Sequence, residues 1–189
     1  STAQPGPGES VVIIGAGAVG LAAVMAARNT PAATIIAVDL QDNRLELAEE
    51  LGATHTVNSG DTDMLAAIAE ICGGPADHVL DCTGNIQVIE QAADAVGLLG
   101  TVILVGGAPA EARFSVDHMR TLFGKTIVGT LGGSSTSHEL IPGLLELHRA
   151  GRFPFDKLVT LYDFDDIDRA IHDAHEGGTI KAVLRVSDI

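Results

Sequence analysis

Val11 to Asp39, VVIIGAGAVGLAAVMAARNTPAATIIAVD, decides how the rest of the chain is read. Val11-Val12-Ile13-Ile14 is a β-branched run of the kind that suits a strand buried on both faces. Gly15-x-Gly17-x-x-Gly20 follows it without a spacer, and a helix is expected to begin on the last glycine, with Leu21 to Ala27 as a helix-favouring series. Asn29, Thr30 and Pro31 break that helix. Thr34 to Val38 then restores the β-branched pattern before Asp39, 19 residues beyond Gly20. Strand, glycine turn, helix, strand and acid at this spacing form a dinucleotide-binding pattern.

Each position in the pattern has a physical task. Gly15 allows a tight turn, Gly17 lets backbone approach a diphosphate without a Cβ in the way, and Gly20 lets helix and strand pack closely. The free N–H groups at the helix start, with roughly half a positive charge, complement the phosphates. Asp39 is placed to accept hydrogen bonds from the adenosine ribose hydroxyls and to repel a 2′-phosphate, so NAD is expected over NADP.

Outward from this stretch the same alternation continues. Gln41 to Leu51 is expected as a second helix with Asp42 or Asn43 as its cap, His55 to Asn58 as a weak third strand, and Asp61 to Ile71 as a third helix. His78 to Cys82 reads as a fourth strand opening through Thr83-Gly84-Asn85 into a helix over Ile86 to Val96. Gly100 to Gly107 is a fifth strand, Val116 to Leu122 a short helix, Thr126 to Leu131 a sixth strand, and Ser137 to Ala150 a helix. Such an order, with hydrophobic strands and short connections, specifies an α/β fold: a doubly wound, parallel, six-stranded sheet. Residues 1–10 read as a linker, 11–150 as the dinucleotide-binding domain, and 151–189 as a C-terminal tail with a strand near Leu158 to Leu161, a helix from Phe164 to His175, and a last strand, Ile180 to Val186.

Composition agrees. The chain has 189 residues, 46% hydrophobic content, 22 glycines and 3% aromatics, so its core must be built largely from Val, Ile, Leu and Ala. A formal net charge of −14 argues against nucleic acid and against an anionic membrane surface as partners. The longest apolar run, Val11 to Ala27, is 17 residues and is interrupted by glycines, too short for a membrane span. Two cysteines, Cys72 and Cys82, make no disulfide framework, and the N-terminus has no signal-like character, which points to the cytoplasm. No Cys-x-x-Cys or His-Glu-x-x-His spacing offers a metal site, and His172 and His175 stand on a face that reads as solvated.

Several stretches together resemble the zinc-type medium-chain alcohol dehydrogenases: Gly15 to Leu21 (GAGAVGL), the Val38 to Asn58 series, Leu80 to Gly84 (LDCTG), Gly100 to Gly107 (GTVILVGG), Val128 to Gly133 (VGTLGG) and Thr179 to Leu184 (TIKAVL). The resemblance covers the whole chain but only the cofactor-binding half of such an enzyme. It implies that Gly15, Gly17, Ala18, Val19 and Gly20 meet the pyrophosphate, that Asp39 clamps the ribose and that Arg44 supports the adenosine side. It implies further that Thr83 lies beside the nicotinamide ribose, Val105, Gly106 and Leu131 near the carboxamide, and Lys181 against the pyrophosphate. Taken without the resemblance, Arg44 is a solvated helix residue and Thr83 a helix cap.

Lys181 occupies a place often filled by Arg in the family, and an ammonium lacks the fork for a bidentate contact there. The resemblance places the catalytic zinc and the alcohol-binding residues in a domain absent here, so the chain itself carries no catalytic or metal residue. In the intact enzyme zinc supplies Lewis acidity to an alcohol oxygen, and hydride passes to the nicotinamide. It also implies a homodimer through the edge strand at 125–131. The tail from Gly151 to Ala174 is similar to that of aryl and benzyl alcohol dehydrogenases. Two other readings share the cofactor half: a zinc-free medium-chain reductase, and a non-enzymatic NAD-sensing module. A short-chain dehydrogenase is excluded, because Tyr162 is the only tyrosine and Asp166 stands where that class needs lysine.

Overall fold

In the computed structural model, which describes residues 2–187, the β-branched runs assemble into one parallel sheet with helices on both faces. The chain runs through β1 (Ser10–Ile14), α1 (Ala18–Arg28), β2 (Thr34–Asp39), α2 (Asp42–Leu51), β3 (His55–Asn58), α3 (Met64–Cys72), β4 (Ala76–Asp81), α4 (Ile86–Ala95), β5 (Val96–Leu104), α5 (His118–Leu122), β6 (Thr126–Gly129) and α6 (Ser137–Arg149). The tail adds β7 (Val159–Asp163), α7 (Ile167–His175) and β8 (Lys181–Arg185). Strand order in the six-stranded sheet is β3-β2-β1-β4-β5-β6 with every pairing parallel, so the direction of winding reverses between β1 and β4. A crevice opens at the carboxyl ends of the strands at such a reversal.

Alternation along the strands divides the core in two. Val11, Ile13, Ile35 and Ala37 point to one face and pack with Leu21, Val24 and Met25 of α1 and Leu45, Ala48 and Leu51 of α2. Val12, Ile14, Ile36 and Val38 point to the other, against Met64 and Ile68 of α3 and Ala92 and Ala93 of α4. A strand sandwiched this way has no polar face, which is why β1 and β2 read as continuous apolar runs. Each fully buried Ile or Leu contributes about 1.5–3 kcal/mol by leaving water.

The expected six-stranded sheet is present, with corrections at its joints. Helix α1 begins at Ala18 rather than on Gly20, since the backbone of Gly17 is already at the cap and Leu21 N–H donates to its carbonyl at 2.8 Å. Neither Asp42 nor Asn43 caps α2: the cap residue is Gln41, and the Asp39 carboxylate takes the N–H groups of Leu40 and Gln41 instead. Helix α3 starts three residues later than Asp61, where Asp63 caps the Ala66 N–H at 3.1 Å. The fourth strand ends at Asp81, leaving Cys82 in the turn.

The expected helix to Val96 and strand from Gly100 to Gly107 become α4 ending at Ala95 and β5 over Val96–Leu104. Ala76 pairs with Val96 but His78 pairs with Thr101, so the segment between them bulges and the regular ladder occupies only Thr101 to Leu104. A Cβ on Gly100 would sit 2.5 Å from Val96 Cγ2, a tight return that glycine permits. Strand β6 stops at Gly129 because Leu131 leads into a 3-10 turn over Gly132–Ser134.

The tail does not extend the large sheet. β7 and β8 pair with each other in parallel as a separate two-stranded sheet, with α7 beside them, and Phe164 to Asp166 forms a 3-10 turn ahead of that helix. Its anchor is apolar: Phe153 and Leu158 are buried in the cluster formed by α1 and α2. Among the described residues no helix is long and apolar enough to cross a membrane.

Candidate functional site

A cleft of about 400 Å³ opens at the carboxyl ends of β1, β2 and β4. Its walls include Ile14, Gly15, Gly17, Asp39, Gln41, Arg44 and Thr83. Residues far apart in sequence meet there because Val38, Ile14, Asp81 and Leu104 lie in one register row across β2, β1, β4 and β5. The residues that follow each of them therefore leave adjacent strand ends side by side.

The glycine turn and Asp39 are joined directly. Gly15 N–H donates to the Val38 carbonyl at 2.8 Å, and Ala16 N–H donates to Asp39 Oδ2 at 2.7 Å. Asp39 Oδ1 accepts from Leu40 and Gln41 N–H at 2.8 and 3.0 Å, while Arg44 Nη1 stands 3.8 Å from Oδ2. Three N–H donors thus hold a carboxylate whose remaining acceptor capacity faces the cleft. Arg44 Nε is buried and has no hydrogen-bond partner, an unusual state for a guanidinium and one that a polar ligand would relieve.

The first turn of α1 supplies the opposite polarity. The amides of Ala18, Val19 and Gly20 precede the first intrahelical bond, so they are the helix's free donors. Gly17 lines the cleft, and no heavy atom lies within 4 Å of the position its Cβ would occupy. Gly20 is the reverse case: a Cβ there would lie 1.8 Å from the carbonyl oxygen of Gly15, so helix α1 could not approach β1 as it does. An open anionic-ligand cradle beside a tightly packed helix start is the arrangement that suits a diphosphate.

The other sequence-selected residues are distributed around this centre. Val19 and Val105 line a second, apolar groove with Leu80, Ile103 and Leu140, on the face that carries α1. Gly106 follows Val105 out of β5, and both of their amides donate to the Asp81 carbonyl, at 2.9 and 3.0 Å. Leu131 is 96% exposed beyond the end of β6 and lines neither cavity. Lys181 opens β8, exposed and paired in register with Val159, and is not part of the cleft wall. The tail does reach the rim just before it: a Cβ on Gly177 would lie 2.4 Å from Gln41 Oε1.

Sequence reasoning passed over Asp81 and Gln41. Asp81 has no exposed surface and its carboxylate accepts from Thr83 Oγ1 at 2.6 Å, Thr83 N–H at 3.1 Å and Gly84 N–H at 3.0 Å. Thr83 is not the cap of α4; Asn85 is, accepting from the N–H groups of Gln87 and Val88. A strand-ending acid directly before Thr-Gly was the available signal. Cys82, on the cleft wall, has its thiol pushed up to about 12 by burial, with the neighbouring Asp81 adding to the effect. It stays protonated at neutral pH. No group of three or more His, Cys, Asp or Glu placed to hold a metal occurs among the described residues.

Sheet order, glycine turn and cleft together define a Rossmann-type α/β domain. Residues 18–149 match the family model of the zinc-binding dehydrogenases, and the chain belongs to that family. It is 39% identical over 181 residues to a geraniol dehydrogenase of Castellaniella defragrans, an alignment covering 95% of this chain and 48% of that protein. Among solved structures it is similar to benzyl alcohol dehydrogenase from Acinetobacter calcoaceticus, with 43% identity, a TM-score of 0.93, and coverage of 96% of this chain and 50% of the other. A zinc-binding dehydrogenase from Sinorhizobium meliloti, solved bound to NADP, shares 26% identity at a TM-score of 0.84, over 94% of this chain and 52% of its own. The chain spans about half the length of the relatives it matches.

Proposed function

We propose that this chain is the NAD-binding half of a zinc-dependent alcohol dehydrogenase, with residues 11–150 as the dinucleotide-binding domain and residues 151–189 returning toward the catalytic half. The observation that carries the reading is the cleft in which a Cβ-free glycine at the start of α1 and a preorganised acid converge. Ala18, Val19 and Gly20 would donate to the diphosphate, Asp39 would accept from the adenosine ribose, and Arg44 would use its unpartnered Nε on the same side. Val105 and Gly106, at the end of β5, would serve the nicotinamide end; Leu131 would join them, and Lys181 would reach the pyrophosphate, only through closure by the rest of the enzyme. NAD, when bound, supplies the hydride acceptor.

Among the described residues no cluster fits zinc, so no metal-dependent step is assigned to them, and the zinc site would belong to the catalytic half. The names of two similar proteins favour a primary allylic or benzylic alcohol as substrate. The chain mixed with NAD, benzyl alcohol and Zn²⁺ is expected to bind the nucleotide but to form no NADH. Sustained NADH formation by this polypeptide would contradict the division of labour.

The assembly proposed is a homodimer in the cytoplasm. Strand β6 ends the sheet order, and Met119, Leu122, Phe123 and Leu131 stand exposed near it, an apolar edge of the kind that pairs with a second copy. Light scattering at micromolar concentration should give twice the chain's mass; a monomer would count against the pairing.

A further inference from the structure

We propose that Asp81 is the positioning residue of the nicotinamide end of the cleft, its buried carboxylate fixing the Thr83–Gly84 turn on which a nicotinamide riboside would rest. This deepens the cofactor reading and rests on it. Strand order supplies the direction. Asp39 ends β2, the glycine turn leaves β1, and a dinucleotide held by those two must continue over the next strand ends in the sheet, those of β4 and β5. The surface it meets there is made by three turns: 15–20, 82–85 and 105–107.

Asp81 ties the second and third of these together. Its side chain accepts three donors from Thr83 and Gly84, and its carbonyl accepts the amides of Val105 and Gly106. Thr83 Oγ1, while donating to Asp81, accepts from Asn85 N–H at 3.0 Å, so the hydroxyl's direction is set from both sides. The turns lie close together: a Cβ on Gly84 would lie 2.2 Å from the Gly107 carbonyl oxygen, and one on Gly15 would lie 2.9 Å from the Thr83 side chain at Cγ2. A carboxylate with no exposed surface is expensive to hold unless its donors are all in place. None of those donors is needed to cap α4, which Asn85 does alone. The bonds therefore serve the turn.

The test separates the two ends of the cofactor by comparing NAD with ADP, which keeps the adenosine and the diphosphate but has nothing to place over β4 and β5. In Asp81→Asn one amide oxygen can still accept from Thr83, but the NH₂ group then faces the Gly84 N–H, donor against donor, and the turn must move. Calorimetric titration should show NAD binding about tenfold more weakly than in the parent chain, with ADP changed by less than about twofold. Thr83→Val, which removes the hydroxyl without changing the shape, should show the same selective loss, and Thr83→Ser should recover it; this pair carries the test if Asp81→Asn does not fold. Equal loss for both ligands, or no loss for NAD, overturns the proposal. A parent chain that binds neither ligand overturns the cofactor reading, and this inference with it.

Discussion

Replacing Gly20 with alanine should cost about 3 kcal/mol of stability and lower the melting temperature by about 6–12 °C. The added Cβ would stand 1.8 Å from Gly15 O and 3.4 Å from Ile13 Cγ2, and Ile13 is fully buried in a strand clamped between β2 and β4. The strand cannot yield, so α1 must lift, and with it the packing of Leu21, Val24 and Met25. Circular dichroism during heating checks this, and an unchanged melting temperature would contradict the close approach. Gly17→Ala is the instructive contrast. No atom lies within 4 Å of its Cβ, and its φ of −77° suits alanine, so stability should fall by less than about 1 kcal/mol while NAD affinity falls at least about tenfold. Two glycines three residues apart then separate a packing role from a ligand role.

The second large effect is expected at Asp39. Asp39→Ser removes a carboxylate that holds three backbone N–H groups and leaves Arg44 without its acidic neighbour. One negative charge near a 2′-phosphate is worth roughly 2–4 kcal/mol at an effective dielectric near 20, and less after screening by salt. The ratio of NADP to NAD affinity should therefore rise by at least about tenfold, with the freed guanidinium available to the added phosphate. Titrating the variant with both nucleotides measures the ratio, and an unchanged ratio would remove Asp39 as the discriminating residue.

Much of this was legible in the sequence because local pattern and tertiary structure agree in the same residues. Val11 to Ile14 and Ile35 to Val38 are buried on both faces, and their composition says so; Gly15, Gly17, Gly20 and Asp39 carry their spacing openly. Boundaries failed where a distant partner decides them. Asp39, not Asp42, satisfies the start of α2, because the strand end it belongs to abuts that helix. The bulge between Val96 and Thr101 depends on how β4 registers against β5, which periodicity within one strand does not contain. Asp81 looks like any acid at a strand end until the fold removes all its water and aims its carboxylate at Thr83 and Gly84. The contact of Gly177 with Gln41 joins a tail to a rim that no short-range rule connects.

The central claim is that the cleft between Asp39 and the glycine turn binds NAD in preference to NADP. Isothermal titration calorimetry of this chain with each nucleotide at low ionic strength tests it most directly. Saturable NAD binding, at least about tenfold tighter than NADP, is the predicted result. Equal affinities, or NADP binding the tighter, would contradict it.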